Sequence, residues 1–554
     1  MLSYRKLAMR VLGRPLHTEG IDSPRPASQR AAALVLTAAM LTTLAAPAFA
    51  KTWYIENGNI TVKAGKIEGT NKVSQGETTD EKDTDTVITN RDKDTASSHT
   101  VTINANGKND KVEVTLKDVN IEANSGPALT SKGDVTLTLK GENHLTGGNG
   151  GRYGGSGITS NGSLTITGGE NDSLTAQGGS SADGGSGSYG GDGIGSSSGG
   201  LTISGGTVNA AGGSGSYGGS GSYGGSGSGI YSRGGVTISG GTVTANGGDG
   251  SNVSGSGITS NGGVTISGGT VNAAGGSGSY GGNGIYSRSS LTISGGTVNA
   301  TGRDGKDGYG GGGIWSGGVT ISGGTVTANG GNGGSGSYGG DGIGSIGGVA
   351  ISGGTVTANG GNGGNGGDGI CSSGIDLSGS LELTAKAGSP SGRALSQNGD
   401  ELDLNTIKDK LGPGAKVTAT DANGKVNQVS IPRPVEPEES SSSSSSSDGG
   451  SAAPSAPAST LPGLTVTDKS GAIIDYISTQ SGNTLTICVG RFTASLRVSL
   501  ATLRQLRAEG IETINFQTIL CSTTLSVDEL LAMGGEDSEA VLTHRLTVSS
   551  LTVG

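Results

Sequence analysis

Large side chains are scarce in this chain of 554 residues. Aromatic residues make up 3% of it and only three residues are phenylalanine, whereas 113 are glycine. Apolar residues of all kinds reach 31%, which is too few to fill a broad spherical interior but enough to fill a thin, elongated one. Because glycine does not recur at every third position, a collagen-type triple helix is excluded.

Cysteine and histidine are also few, with three and four residues respectively. Cys488 and Cys521 share the C-terminal part of the chain and could form a disulfide outside the cell, which leaves Cys371 unpaired. Beyond the N-terminal segment the histidines are too dispersed to indicate a catalytic triad or a zinc site; they are His99, His144 and His544.

The N-terminus has the features of an export signal. Six basic residues precede an apolar run over residues 31–46, and Ala48-Phe49-Ala50 follows it. This arrangement predicts a signal peptide over residues 1–50 and a mature chain beginning near Lys51, with an uncleaved membrane anchor as the alternative. No second apolar run of 18 residues follows, so we expect no membrane span after cleavage.

The mature chain is acidic. Without residues 1–50 it carries 30 basic and 44 acidic residues, a net charge of −14. This balance argues against nucleic acid as a partner. Together with the export signal, it predicts a protein that is secreted or associated with the cell surface.

A motif recurs seven times and is clear in residues 257–276, GITSNGGVTISGGTVNAAGG. Val264, Ile266, Val271 and Ala273 alternate with polar residues, and this period of two indicates two short strands joined by Gly-Gly. One copy cannot bury its own apolar face, but stacked copies can do so together. Variable spacers between the copies are typical of a solenoid with insertions in one loop. The sequence therefore predicts an all-β, parallel β-solenoid with glycine-rich loops.

Changes in composition divide the mature chain into four parts. We expect an N-terminal cap with the first irregular β-helix turns over residues 51–150 and the glycine-rich repeats, with divergent final turns, over 151–431. Residues 432–462 are rich in proline and serine and are predicted to be a disordered linker. Residues 463–554 have the mixed pattern of a small α/β domain.

Two stretches resemble a known family. They are TVTINANGKNDKVEVTLKDVNIEANSGPALTSKGDVTLTLKGENHLTGG at residues 100–148 and the repeated GxGI…LTISGGTV. Over about residues 85–390 they are similar to secreted bacterial carbohydrate-binding proteins built as right-handed parallel β-helices. The resemblance implies a right-handed winding, binding of an acidic plant cell-wall polysaccharide such as polygalacturonate, and structural calcium. The enlarged GSGSYGG loops depart from the family pattern, and a neutral glucan is an alternative ligand for so acidic a chain.

The position after each Gly-Ile forms a predicted outward column. It holds Thr159, Gly195, Tyr231, Thr259, Tyr286, Trp315, Gly344 and Cys371. Tyr231, Tyr286 and Trp315 fall within four consecutive turns, about 14 Å from end to end. Exposed rings in a row suit the apolar faces of sugars, so these three are candidate carbohydrate-binding residues. The alternative is that the rings only stabilise the sheet.

Two carboxylates are predicted to be neighbours. Asp341 and Asp368 occupy equivalent positions in consecutive turns, and like charges so close repel each other unless a cation bridges them. Residues 363–370 also match a calcium-binding nonapeptide. We therefore predict a structural calcium site at these two residues, with solvated turn aspartates as the alternative.

Tyrosines in the glycine-rich loops are a third feature, and they are either an adaptable binding surface or a flexible fringe without a specific ligand. They are Tyr153, Tyr189, Tyr217, Tyr223, Tyr280, Tyr309 and Tyr338.

Catalysis is not expected. Parallel β-helices include pectin lyases and polygalacturonases, but the Asp-Asp, Gly-His-Gly and Arg-Ile-Lys motifs of the hydrolases are missing from the sequence. Arg233 and Arg288 are the repeated basic candidates for a lyase, and a solvated surface role suits them better. The sequence thus predicts a secreted, non-catalytic carbohydrate-binding protein. The alternative is a structural or adhesive surface stalk that binds a protein partner.

Overall fold

A computed structural model describes residues 50–105, 107, 110–181, 188–215, 226–432, 463–468, 472–474, 476–481, 483–489, 491, 493–518, 522–533, 539–545 and 548–553. The chain separates into two compact units, Met1–Glu436 and Pro437–Gly554. The predicted signal peptide up to residue 49 and the linker over residues 433–462 lie outside the described residues.

The first unit is nearly all β and is a solenoid with three parallel strands in each regular turn. We name its three faces after the motif segments that form them. The Gly-Ile face and the Val-Thr-Ile face belong to one large sheet, and the Thr-Val face forms a second sheet of 12 strands. The predicted stacking of parallel strands is confirmed.

The Gly-Ile face contains the strands Ile60–Ala64, Val101–Asn104, Leu129–Lys132, Ile158–Asn161, Ile194–Ser196, Ile230–Ser232, Ile258–Ser260, Ile343–Ser345, Ile370–Ser372 and Leu395–Gln397. The Val-Thr-Ile face contains Lys51–Tyr54, Thr86–Thr89, Lys111–Lys117, Asp134–Lys140, Leu164–Thr167, Leu201–Ile203, Val236–Ile238, Val264–Ile266, Val349–Ile351 and Ile375–Leu377. Two longer strands run through both faces, Ile285–Ile293 and Ile314–Ile321.

The Thr-Val face contains Asn120–Glu122, Glu142–Thr146, Ser173–Gln177, Thr207–Ala211, Thr242–Asn246, Thr270–Ala274, Thr297–Thr301, Thr325–Asn329, Thr355–Asn359, Glu382–Lys386 and Lys416–Thr420. Equivalent residues of successive copies are register partners on every face. On the Gly-Ile face, for example, Ile258 pairs with Ile230 before it and with Ile285 after it. The motif therefore stacks in register, and each position becomes a column along the solenoid.

The interior is a narrow row of aliphatic side chains. Val264, Ile266, Val271 and Ala273 are at most 2% exposed, as their alternation with polar residues predicts. Each turn adds a similar set, so one continuous core extends through the unit. Burial of small aliphatic groups shared between turns is the dominant favourable term in such a fold.

The sequence predicts two short strands in each repeat, whereas the structure has three, the additional one being the segment after each Gly-Ile. This third strand carries a serine that points inward and closes the corner that follows the strand. The side chain of Ser260 is fully buried, and its Oγ donates a hydrogen bond to the Gly263 carbonyl at 2.7 Å. Buried serines at the same position of other turns bond in the same way; they include Ser196, Ser232, Ser287, Ser316, Ser345 and Ser372.

Glycine is required at two places in the repeat. Gly269, between the Val-Thr-Ile and Thr-Val faces, has φ +76°, which side chains rarely tolerate. In the loop stems, outgoing and returning backbones hydrogen-bond alternately, as in Gly276 N to the Gly255 carbonyl and Gly282 N to the Gly276 carbonyl. A Cβ at Gly282 would lie 2.0 Å from the Gly255 oxygen, so the stems pack too closely for any side chain.

Antiparallel strands lie at both ends of the solenoid. At the N-terminal end these are Asn71–Gln75 and Thr78–Asp83, near the 3₁₀-helix Ile55–Asn57. Trp53 is 3% exposed there, and its Nε1 donates to Asp83 Oδ2 at 2.7 Å. At the C-terminal end the elements are Asp400–Glu401, the 3₁₀-helix Leu404–Lys410 and Val426–Ser430.

The second unit contains two sheets and two short helices. One sheet consists of Leu464–Thr467, Thr493–Ser499, Glu539–Arg545 and Val548–Val553, and the other of Ile477–Ser481, Thr484–Cys488, Thr513–Gln517 and Ser522–Ser526. The α-helices are Leu500–Ala508 and Val527–Met533. Within the described part of the chain, no helix is both long enough and apolar enough to span a membrane.

Candidate functional site

The three aromatic residues predicted to bind sugar lie on one outer column of the Gly-Ile face. Tyr286 and Trp315 are direct register partners in adjacent turns. Thr259 separates Tyr286 from Tyr231 along the same column. All three rings are half-buried, so each keeps a face or an edge in contact with solvent.

Trp315 lies over a glycine of the next turn. A Cβ built on Gly344 would be 2.3 Å from Cε3 of Trp315 and 3.3 Å from Oδ2 of Asp341. These two side chains therefore fill the space that any side chain at position 344 would need. The missing side chain at Gly344 fixes where the indole can rest.

Loop tyrosines form a second aromatic column beside the first. The ring centroids of Tyr280 and Tyr309 are 5.9 Å apart, and those of Tyr309 and Tyr338 are 5.5 Å apart, both edge to face. Tyr153 and Tyr189 form a separate parallel stack at 5.8 Å. These five rings are 40–60% exposed, so they form an ordered, solvent-facing aromatic surface.

The two columns enclose a cleft of about 230 Å³. Trp315, Tyr309 and Tyr338 supply its aromatic walls, and Asn283 and Asp341 supply polar groups. Its remaining lining is glycine: Gly310, Gly312, Gly339 and Gly340. Aromatic surface with a few placed polar groups is the composition of small-ligand and sugar sites. We call this site the Trp315 cleft.

The tyrosine column also has a pattern in the sequence. It precedes Gly-Ile, so the outward positions that follow Gly-Ile do not reveal it. Tyrosine precedes the inward isoleucine by five residues in five turns, as Tyr-Gly-Gly-x-Gly-Ile. Tyr309 and Ile314 form one such pair, and Tyr338 and Ile343 form the next. Because the isoleucines are in register, a constant offset places these tyrosines in register as well.

Asp341 and Asp368 lie together, as predicted for the proposed metal site, and Cys371 joins them. One carboxylate oxygen from each aspartate and the Cys371 sulfur lie within 4.8 Å of one another. All three side chains are half-buried. The pairing of Asp341 and Asp368 follows from the repeat, whereas Cys371 was not predicted as a possible ligand.

Each aspartate also has a structural role. Oδ1 of Asp341 accepts a hydrogen bond from Asp368 N at 2.8 Å, and Oδ1 of Asp368 accepts one from Arg393 N at 2.7 Å. Asn283 makes the same type of bond to Gly312 N, at 2.7 Å. This column therefore links neighbouring turns, and the second oxygen of each carboxylate remains for another partner.

The electrostatics of this cluster oppose negative charge. Burial, reinforced by the nearby charge of Asp368, raises the pKa of Asp341 to about 6, although the hydrogen bond from Asp368 N acts in the other direction. Burial and the two carboxylates raise the pKa of the Cys371 thiol to about 12. Without a cation, the thiol is therefore protonated at neutral pH.

Arg233 and Arg288, the basic residues that the sequence suggested for a lyase, do not line the Trp315 cleft. Arg233 donates from Nε to the Tyr231 hydroxyl at 3.2 Å, and Arg288 is exposed. Cys488 donates to Gln517 Oε1 at 3.3 Å, and Cys521, considered as its disulfide partner, lies outside the described residues. Tyr217 and Tyr223 also lie outside them.

No protein-family model matches the chain, and the searches of curated proteins and of solved structures found no match either. The similarity to secreted carbohydrate-binding β-helices therefore stays a prediction.

Proposed function

We propose that this protein is a secreted, non-catalytic carbohydrate-binding protein and that the Trp315 cleft binds the glycan. The single observation that carries the proposal is the meeting of Trp315, Tyr309 and Tyr338 around one glycine-lined cleft. Aromatic rings bury the apolar face of a sugar, and the cleft's amide and carboxyl groups can hydrogen-bond its hydroxyls. The proposal keeps Trp315 from the predicted set and adds the two tyrosines.

The shape of the site favours a chain-like ligand. Tyr280, Tyr309 and Tyr338 follow the solenoid axis, with one ring per turn. A linear polysaccharide lying along the axis would meet the rings one after another, each contributing on the order of 1 kcal/mol. Tyr286 and Tyr231, on the other column, extend the surface beyond the cleft.

Calorimetric titration with polygalacturonate and with a cello-oligosaccharide tests the proposal. We expect one of them to bind the wild-type chain and Trp315→Ala to weaken that binding by a factor of 30 or more, because a buried aromatic anchor contributes about 2 kcal/mol or more. Since Trp315 is half-exposed, the variant should keep nearly the wild-type melting temperature.

Tyr189→Ala is the matched control. Tyr189 is an exposed loop tyrosine that stacks on Tyr153, away from the cleft, so its removal should leave affinity unchanged. Equal loss in both variants would contradict a specific site at Trp315. Absence of binding across an array of polysaccharides, with and without calcium, would instead favour the structural or adhesive stalk that binds a protein.

The proposal has three further parts. We propose that the solenoid winds in the right-handed sense, which parallel crossover connections almost always adopt. We propose that the protein acts outside the cell, either secreted or on the surface. We also propose that it leaves its ligand intact, so incubation with polygalacturonate should release no reducing ends or unsaturated products.

A further inference from the structure

The last regular turns bring four potential metal ligands together on the outside of the solenoid. Asp341, Asp368 and Cys371 form the cluster described above. Ser396, in the turn that follows, is the register partner of Cys371, and its hydroxyl faces the thiol. The four side chains thus come from three consecutive turns, with Ser396 next to the Cys371 member of the cluster.

The Ser396 hydroxyl is an independent sign that this point binds a ligand. Ser396 is 1% exposed, and it pairs with Glu401 of the antiparallel strand Asp400–Glu401. Its Oγ has no hydrogen-bond partner of normal geometry among the residues that the structure describes. A buried hydroxyl left without a partner costs about 1–3 kcal/mol. A ligand that accepts its lone pair would remove that penalty.

The charge of the cluster points to a cation. Asp341 and Asp368 place two carboxylates side by side, and in the described ranges no lysine or arginine forms an ion pair with either. Each keeps one carboxylate oxygen free of the backbone bonds that link the turns. A bound cation would offset their repulsion.

We propose that Asp341, Asp368, Cys371 and Ser396 bind one divalent cation of the zinc class. Calcium, the ion expected from sequence, takes six to eight oxygen ligands, and a thiol does not suit it. Zinc accepts sulfur and carboxylate oxygen together in a four-coordinate site. Two ligands of a tetrahedral zinc lie roughly 3.5 Å apart. The three clustered atoms lie within 4.8 Å of one another, so they need to approach one another by at most about 1.3 Å.

Binding requires the loss of one proton. The Cys371 S–H bond breaks, the proton passes to water or buffer, and the sulfur lone pair forms the metal–sulfur bond. No electron transfer is involved. The site adjoins the Trp315 cleft through Asp341, but the ion needs no glycan in order to bind.

Cobalt titration of the full-length chain tests the site. We expect one Co²⁺ per chain, with a near-ultraviolet thiolate-to-cobalt band that added Zn²⁺ removes. Cys371→Ser should abolish the band, and Ser396→Ala should weaken Co²⁺ binding tenfold or more. Asp249→Asn, at an exposed carboxylate far along the chain, is the control and should match the wild type.

The outcomes separate this proposal from the proposed function. Trp315→Ala should lose glycan binding and keep the cobalt band. A band that persists in Cys371→Ser, or no Co²⁺ binding by the wild type, would overturn the metal site. So would a rise in melting temperature with Ca²⁺ but not with Zn²⁺.

A measurement on the wild type alone tests the metal site even if a variant fails to fold. Cys371 is half-buried, and we expect iodoacetamide to alkylate it when the site opens locally. Zn²⁺ should slow the alkylation of Cys371 tenfold or more, as measured by peptide mass spectrometry. Equal alkylation with and without Zn²⁺ would overturn the proposal.

Discussion

The indole of Trp315 occupies the space above Gly344, where a Cβ would lie only 2.3 Å from Cε3 of the ring. The two residues are register partners in adjacent turns, so the solenoid itself brings them together. The position of the Trp315 ring thus depends on the absence of a side chain at Gly344. Because Trp315 forms part of the proposed glycan site, this relationship can be tested directly.

Gly344→Ala should displace the Trp315 ring and weaken glycan binding about tenfold, since the new methyl group cannot share the space with the indole. Tryptophan fluorescence reports the movement, because Trp53 is buried and Trp315 is the only other tryptophan. Gly374→Ala is the matched control, as its Cβ would meet nothing within 4 Å. Unchanged emission and affinity in Gly344→Ala would contradict the described ring position.

Tyr309→Ala should reduce glycan affinity by about tenfold or more, because Tyr309 forms one wall of the cleft and packs against the rings of Tyr280 and Tyr338. Tyr309→Phe retains the ring, so its loss should stay below about threefold. Titration of both variants with the same glycan gives the comparison. If Tyr309→Phe loses as much affinity as Tyr309→Ala, the hydroxyl rather than the ring is responsible.

Ser260→Ala should lower the free energy of unfolding by about 1 kcal/mol, because it removes a buried hydrogen bond to the Gly263 carbonyl. That carbonyl still accepts from Val236 N, which limits the loss. Denaturant unfolding measures the change. The control is Ser251→Ala in an exposed loop, for which we expect less than about 0.5 kcal/mol. An equal loss of stability in Ser260→Ala and Ser251→Ala would argue that the inward serine does not stabilise the corner.

Stability should fall as the pH rises through the range in which Asp192 titrates. Burial raises the pKa of Asp192 from 3.8 to about 7, although a hydrogen bond from Ser228 N opposes the shift. Between these values the folded chain holds more protons than the unfolded chain, so raising the pH lowers the free energy of unfolding. The loss is complete above the folded-state pKa.

Asp192→Asn keeps an acceptor for Ser228 N and has no charge to bury. Its free energy of unfolding should therefore match the wild type near pH 4 and exceed it at pH 8. Thermal or denaturant unfolding at the two pH values gives the comparison, and Asp249→Asn, at an exposed position with a similar backbone bond, should follow the wild type. A variant no more stable than wild type at pH 8 would contradict the burial argument.

The parts of the fold that repeat could be predicted from the sequence. Alternation placed Val264 and Ile266 inside, and equal motif positions placed Asp341 beside Asp368. The third strand was not predicted, because the role of Ser260 depends on a corner whose geometry the polar composition does not reveal. Periodicity detects burial of apolar groups, whereas a buried hydroxyl resembles an exposed one in sequence.

The candidate sites were only partly predictable because they join residues from different columns. Trp315 and Tyr338 lie 23 positions apart and meet only through the closely packed glycine stems between them. Ser396 reaches Cys371 in the divergent last turn, where the motif is no longer recognisable. Distances across columns depend on how wide each corner is, and the sequence does not specify that width.

The constant five-residue offset between loop tyrosine and inward isoleucine makes the aromatic surface modular. Duplicating one repeat inserts one more rung without disturbing the others, because each turn contacts only its neighbours. If the aromatic column binds a linear glycan as proposed, the number of rungs therefore sets the length of polymer that the protein can follow. Gain or loss of whole repeats would then change the length of the bound polymer without altering the contacts within the remaining turns.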